Sequence, residues 1–336
     1  MARVSPARAG LLRIDPSAAL ASSTNAAIAF FARRDLLGER PGSLSDLWDL
    51  PEPRRVVGRQ NPDGSWRYPG AKPAVRSQRD YDQLETFRQV GVLVEKFGFS
   101  RQHPSIERAA EFLFTFQTEE GDFRGIYGRQ YATTYVGAIT ELLIKAGYGS
   151  DARIERSLAW LMAVRQQDGG WAIPARTVGL PFPAFVDPVR YPVPVAPDRS
   201  KPSSHLVTGM ALRALAADPS RLPSADVVRA ADLLASRLYR RDVYPDRGAR
   251  SYWERVSFPF WFTDIVSALD TLSRLGLPSD REPIRTALDR LRELERDDGV
   301  FGFKLLRTRD PDLPWWISLA VCRTLRRWSI DGARVR

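Results

Sequence analysis

Gln166-Gln-Asp168-Gly169-Gly170-Trp171 ends one helical stretch and leads into another, and the chain repeats it. Two further copies are Gln60-Asn-Pro-Asp63-Gly64-Ser-Trp66 and Gln117-Thr-Glu-Glu120-Gly121-Asp-Phe123. A degenerate one is Glu295-Arg-Asp297-Asp298-Gly299-Val-Phe301. The first three recur at roughly 50-residue spacing, the period of a repeat made of two helices. A glycine after an acid supplies the left-handed conformation that ends a helix without a Cβ clash. The acid before it can bond local backbone amides. The aromatic is expected to pack back on the finished helix, and the Gln amide to bond an adjacent helix terminus.

Outward from these turns, the preceding stretches are amphipathic. Leu158, Leu161 and Met162, and then Leu288, Leu291 and Leu294, recur at helical spacing. The stretches that follow (81–97, 131–146, 203–216, 261–275 and 315–328) are apolar on most faces, which predicts buried helices. Ser279 with Glu282 predicts a capping box, Pro283 a first-turn proline, and Ser224 a cap for the helix through Leu238. The predicted fold is all-α, an α/α toroid of about five to six helical hairpins with outer half-exposed and inner buried helices. An N-terminal tail, 1–17, precedes a single domain over 18–330, which begins with an extra helix at 18–37. The hairpin near 240–260 keeps its helices but has lost the Gln-Gly-Trp signature.

The chain is 43% hydrophobic and 27% charged, the balance of a soluble protein with a sizeable core. Its formal charge of +10 comes mostly from arginines that alternate with acids. With no zinc-finger spacing and no RNP motif, no nucleic-acid partner is expected. Cys322 is the single cysteine, so no internal disulfide forms, and a cytoplasmic setting is expected. The first residues carry no apolar signal core, and no apolar run is long enough to span a bilayer.

The Gln-x-x-Asp-Gly-x-Trp turn resembles the QW motif of squalene–hopene and oxidosqualene cyclases and the related repeat of protein prenyltransferase β subunits. The resemblance covers roughly Pro51 to Trp328. It implies a terpenoid-cyclase-type toroid whose inner-helix starts gather at one mouth of a central aromatic cavity. Those starts carry Tyr81, Asp82 and Glu85, Tyr131 and Tyr135, His205, Trp261 and Asp264, and Trp315 and Trp316. Ring faces stabilise positive charge, as carbocation chemistry requires. Class II terpene cyclases protonate an alkene with the middle Asp of D-x-D-D. The string here is Asp80-Tyr81-Asp82-Gln83, so Asp82 aligns with the acid while Gln83 replaces the last Asp. Asp82-x-x-Glu85 is equally a helix-capping pattern. Asp264, in an apolar setting, is the second candidate acid.

Three long loops, 172–202, 240–259 and 300–314, lead into inner helices, and the Pro-rich first one is expected to lie over the mouth as a lid. Arg67, Lys72, Arg76 and Arg79, then Arg190, Arg199 and Lys201, Arg247, Arg250 and Arg255, and Lys304, Arg307 and Arg309 crowd these loops. Guanidinium forks there suit an anionic head group. His103, His205 and Cys322 are too few for a closed zinc site, and Asp310-Pro-Asp312 reads as a turn, so no metal and no cofactor are expected. The leading functional reading is a protein that binds an isoprenoid or other apolar small molecule, with protonation-initiated cyclisation as its chemistry. A non-catalytic lipid- or peptide-binding toroid, suggested by Gln83, is the alternative. A glycan-active toroid using Asp264 and Glu85 is a third.

Overall fold

The computed structural model describes residues 12–70, 76–306 and 310–334. Along the chain run α1 (Ser17–Ala21), α2 (Ala26–Ala32), α3 (Pro51–Val57), α4 (Gln78–Phe97), α5 (Pro104–Phe114) and α6 (Thr133–Leu143). They are followed by α7 (Ala152–Ala163), α8 (His205–Leu215), α9 (Ala225–Ser236), α10 (Ile265–Arg274), α11 (Glu282–Glu293) and α12 (Leu313–Arg334). The chain is all-α apart from short pairings, and its successive helix pairs are consistent with an α/α toroid. It divides into two compact units, Leu44–Ala230 on one side and Met1–Ser43 with Ala231–Arg336 on the other.

In the unit Leu44–Ala230 the outer helices are amphipathic as expected. Ile106, Ala109, Ala110 and Leu113 of α5, and Ile154, Ser157, Leu158 and Leu161 of α7, form single buried stripes at helical spacing. The inner helices α4, α6 and α8 are buried on most faces, and α6 lies along α8. They approach so closely that a Cβ on Gly137 would stand 2.7 Å from the Met210 carbonyl oxygen.

The repeat turns join these layers. Trp66 Nε1 donates to Val56 O at 2.7 Å, and its backbone N–H to Thr86 Oγ1 of α4 at 3.0 Å. Trp171 repeats both bonds, to Leu161 O at 2.6 Å and to Thr208 Oγ1 of α8 at 3.0 Å. The Gln amides reach the next repeat: Gln60 Nε2 donates to Ser105 O at 2.8 Å, and Gln117 Nε2 to Arg153 O at 2.7 Å. Gln166 Nε2 instead meets Asp198 O and Lys201 O, because the long loop stands where the next outer helix would begin.

Gly121 (φ +101°) and Gly169 (φ +95°) share the left-handed turn but not its surroundings. A Cβ on Gly121 would lie 2.4 Å from Arg156 O, whereas one on Gly169 meets nothing within 4 Å. Gly169→Ala should cost only the left-handed backbone, about 1–2 kcal/mol. Gly121→Ala must also push α7 away, so its loss should be clearly larger. Thermal melts of the two variants check this, and equal losses would show that the close approach is not needed.

In the other unit the expected helix over 18–37 is broken. Asn25 Oδ1 accepts the N–H groups of Ala27 and Ile28 and so starts a new helix, α2, which ends in a wide turn, Arg33–Leu37, and Gly38. The expected cap at Ser279 is also replaced: Arg281 precedes α11 and makes no side-chain capping bond to it, although Pro283 holds its first-turn place. At the end of the unit Leu44–Ala230, Ser224 does cap α9, accepting Val227 N–H at 3.3 Å. The signature that 240–260 had lost survives in one residue. Trp253, 1% exposed, donates from Nε1 to Arg240 O at 2.9 Å. Glu295 stands where the other turns have Gln. A carboxylate can only accept, so it takes N–H groups, from Arg13 at 2.8 Å and Ile14 at 2.6 Å. Residues 255–256 pair in parallel with 304–305, tying two long loops together.

Candidate functional site

Around the start of α4, Ser77 is the N-cap and forms a capping box with Asp80. The capping alternative for Asp82 and Glu85 is therefore corrected. Asp82 is half-buried, and its Oδ1 accepts Tyr68 N–H at 2.8 Å and Gln78 Nε2 at 2.5 Å. Glu85 is buried beside Arg88 and accepts Gln89 Nε2 at 2.5 Å. Tyr81 is buried under the Arg76 guanidinium, 4.4 Å from its ring centroid. Gln83, in the place of the last motif acid, is fully buried, and neither amide atom has a partner among the described residues. It lies against Gly125, where a Cβ would come 2.3 Å from Gln83 Oε1.

Tyr135 belongs to a chain of edge-to-face rings, with Phe87 at 5.7 Å and Tyr127 at 5.5 Å. Phe182 and Phe185 of the Pro-rich loop pack on Tyr127 at 5.3 and 5.7 Å. Those two phenylalanines thus anchor the loop, through single-turn helices at Pro174–Thr177 and Phe182–Phe185. Tyr131 is turned elsewhere. It lies against Trp160 and donates to Glu120 Oε2 at 2.8 Å; burial and Glu120 together push its phenol up to about 12. His205 is buried as the first residue of α8.

The remaining candidates lie in the other unit. Asp264, 1% exposed, caps α10 in a box with Ser267. The helix begins at Ile265, so Trp261, expected at a helix start, is a half-buried loop residue. Trp316 is buried and stacked on Phe258 at 5.4 Å, beside a half-buried Trp315.

A cavity of about 690 Å³ opens in the unit Leu44–Ala230, between the start of α4, the turn at 124–129 and the Pro-rich loop. Arg76, Asp80, Phe116, Arg124, Arg129 and Pro192 are among its lining. None of the aromatic or acidic candidates named from the sequence lines it, although Arg76 and Asp80 flank Tyr81 and Asp82. Burial disfavours the charge on Arg124, but Asp122 and Glu120 outweigh it, so its proton is held more tightly than usual. Arg76 donates to Ile126 O, and its buried Nε has no acceptor among the described residues. Among the described residues Arg129 reaches only Pro192 O, at 3.4 Å. Lys72, Arg307 and Arg309 lie outside the described residues. Among the described residues no cluster of His, Cys, Asp and Glu could hold a metal, and no helix is long and apolar enough to cross a membrane.

Gln130, missed in the sequence, holds the cavity's outer wall. It is buried, donates from Nε2 to Tyr191 O at 3.1 Å and Val193 O at 2.9 Å, and accepts Val195 N–H at 2.8 Å. The wall has no regular structure of its own there, so few other bonds resist its opening. Gln130→Ala should speed tryptic cleavage at the exposed Arg190 several-fold without unfolding the chain. An unchanged cleavage rate would show that the rings of Phe182 and Phe185 suffice.

Residues 80–177 match the family model of the squalene-hopene cyclase C-terminal domain. A squalene–hopene cyclase of Zymomonas mobilis is 26% identical over 154 residues, which cover 40% of this chain. The matched region spans 23% of that relative's length. Among solved structures, the type II terpene cyclase MstE from Scytonema is 13% identical. The match covers 84% of this chain and 98% of that one at a TM-score of 0.33. A variant of it in complex with its substrate geranylgeranyl dihydroxybenzoate is 14% identical, with 85% and 97% covered and a TM-score of 0.34. A protein from Actinoplanes is 15% identical, with 85% and 99% covered and a TM-score of 0.30. Overlays this loose carry no residue positions across. By its repeat turns and its matched stretch, the chain fits the terpenoid cyclase-like superfamily.

Proposed function

We propose that this chain is a terpene-cyclase-like protein that takes up an isoprenoid or similar apolar molecule, with the cavity beside α4 receiving its polar end. The observation that supports this best is the cavity lining. Phe116, Val193 and the loop prolines make apolar walls, while Arg76 and Arg129 carry guanidiniums without a carboxylate partner among the described residues. Apolar walls accept hydrocarbon, and guanidinium forks accept the oxygens of a phosphate or carboxylate. In its catalytic form the reading needs a carboxyl group to protonate an alkene. Asp82 and Asp264 are the acids suggested by the family pattern and by the apolar setting, and Asp80 is the one that lines the cavity.

Incubation with polyprenyl diphosphates of graded length and with squalene tests both levels. Melting temperature reads binding, and gas chromatography with mass detection of extracts reads turnover. The melting temperature should rise with a polyprenyl diphosphate. Arg76→Gln combined with Arg129→Gln should raise Kd about tenfold, ~1.4 kcal/mol. A cyclised product lost in Asp80→Asn, Asp82→Asn or Asp264→Asn would name the acid. No melting shift with any member of the panel would overturn the reading.

A further inference from the structure

Charges of both signs line the cavity beside α4 without pairing with each other. Arg76 and Arg129 have no carboxylate partner among the described residues, and Asp80 has no cationic one. Arg124, the third arginine there, is taken: it pairs with Glu120 at 2.7 Å and with Asp122 at 3.0 Å. The unpaired groups are within reach of a ligand, since Arg76 and Asp80 are half-buried and Arg129 is exposed.

Local structure fixes each of them. Asp80 Oδ2 accepts Ser77 N–H at 3.0 Å in the capping box, which pins the carboxyl at the first turn of α4. Its Oδ1 makes no hydrogen bond among the described residues. Gly125 N–H donates to Gly128 O at 2.9 Å and Gly128 N–H to Gly125 O at 2.8 Å, closing a tight turn flanked by Arg124 and Arg129. A Cβ on Gly125 would stand 3.0 Å from both Asp80 Oδ1 and Phe116 Cδ1. With glycine there the turn meets the start of α4 closely, so Asp80, Phe116 and Arg129 share one cavity. Arg76 is held over the Tyr81 ring and by Ile126 O. Partly desolvated charges without a counter-charge are unfavourable. An anion alone would satisfy the arginines but be repelled by Asp80, whereas complementary charge at both places satisfies all three.

We propose that this cavity takes a zwitterionic head group: an anionic oxygen group held by Arg76 and Arg129, and a protonated amine held by Asp80. The apolar body of the ligand lies against Phe116 and the loop prolines. The inference rests on the reading that the cavity receives the polar end of an apolar molecule, and it names that end. Asp80 then acts in binding, and the proton of any cyclisation falls to another acid. A phosphoethanolamine ester and an α-amino acid carry the same pair of charges.

The test is calorimetric titration of the full chain at neutral pH with two matched pairs of probes. One pair is octyl 2-aminoethyl phosphate and octyl ethyl phosphate; the other is 2-aminodecanoate and decanoate. Within each pair only the amine differs. The amine-bearing member should bind about fivefold more tightly, the gain from one partly exposed ion pair. The pair with the lower Kd assigns the phosphoester or the carboxylate. Asp80→Asn, whose side-chain oxygen can still accept Ser77 N–H, should abolish the preference and leave the amine-free members bound at least as well. Arg76→Gln combined with Arg129→Gln should weaken every probe. If Asp80→Asn does not fold, the preference of the wild type within each pair decides. Equal binding within both pairs, or a preference that survives in Asp80→Asn, would overturn the zwitterionic assignment. Amine-free probes that still bind, and are weakened in the double arginine variant, would then leave the anion-binding reading in place. No binding of any probe at millimolar concentration would count against both.

Discussion

Glu141→Ala is expected to destabilise the protein by about 3–5 kcal/mol, the usual loss when one partner of a buried charge pair is removed. Glu141 is 4% exposed on α6. Its Oε2 accepts Arg213 Nε of α8 at 2.8 Å, and its Oε1 accepts Lys145 Nζ at 2.7 Å. Lys145 also donates to Glu95 of α4, at 2.6 Å. Two acids and two bases therefore join three inner helices. Without Glu141, the 6% exposed Arg213 loses the carboxylate that accepts from its Nε. Replacing the pair, Glu141→Leu with Arg213→Met, should recover much of the loss, because the desolvation of both charges disappears. Urea unfolding midpoints measure both effects, and a loss under about 1 kcal/mol in Glu141→Ala would contradict the account.

The same group sets a pH dependence. Burial raises the Glu141 pKa, and Arg213 with Lys145 outweighs it, so the folded value lies below the ordinary 4.5. A depressed carboxyl contributes stability that is present above the unfolded value and lost as pH falls through the folded one. Stability should therefore fall as pH drops below 4.5, and the slope should be shallower in Glu141→Gln. Identical slopes below that pH would remove Glu141 as a cause.

Trp171→Ala should cost about 3–5 kcal/mol, as for other large aromatics removed from a core. The ring is fully buried, and its Nε1 donor satisfies Leu161 O at the end of α7. Trp171→Phe keeps most of the apolar contact but leaves that carbonyl unbonded, for about 1–3 kcal/mol. The ordering of the three melting temperatures is the check. Trp171→Phe matching wild type would mean that the ring's volume matters and its hydrogen bond does not.

The repeat was legible because its physics is local. Trp66 and Trp171 each bond a carbonyl in the helix just behind them, and the glycine of each turn is required by its left-handed φ, at Gly64 also by the close approach of Arg108 O. Helix stripes such as Ile106, Ala109, Ala110 and Leu113 read correctly for the same reason. Trp253 was not legible as a repeat residue. Its acceptor is again a backbone carbonyl, which any residue supplies, and the flanking Gln and Gly that mark the turn are absent. The broken helix at 18–37 has a local cause, the Asn25 cap at the end of the polar run Ser22-Ser23-Thr24-Asn25.

The candidate site divides in the same way. Sequence placed Tyr81, Asp82 and Glu85 near the start of an inner helix, Tyr135 among aromatics and Asp264 in an apolar setting, because period and composition decide such things. Which carboxylate faces open space depends on partners distant along the chain or on the opposite side of a turn. Asp82 is turned to Tyr68 N–H and Asp264 to its own helix start, whereas Asp80, although it closes a capping box with Ser77, also lines the cavity. The cavity's wall is held by Gln130 reaching residues some 60 positions later. By itself, then, the sequence determined the repeat, its helix pairs and the superfamily it resembles, all of which follow from short-range periodicity and turn chemistry. Only the tertiary structure decided which polar groups are satisfied and which stand bare, because a hydrogen-bond partner is set by where the chain returns in space.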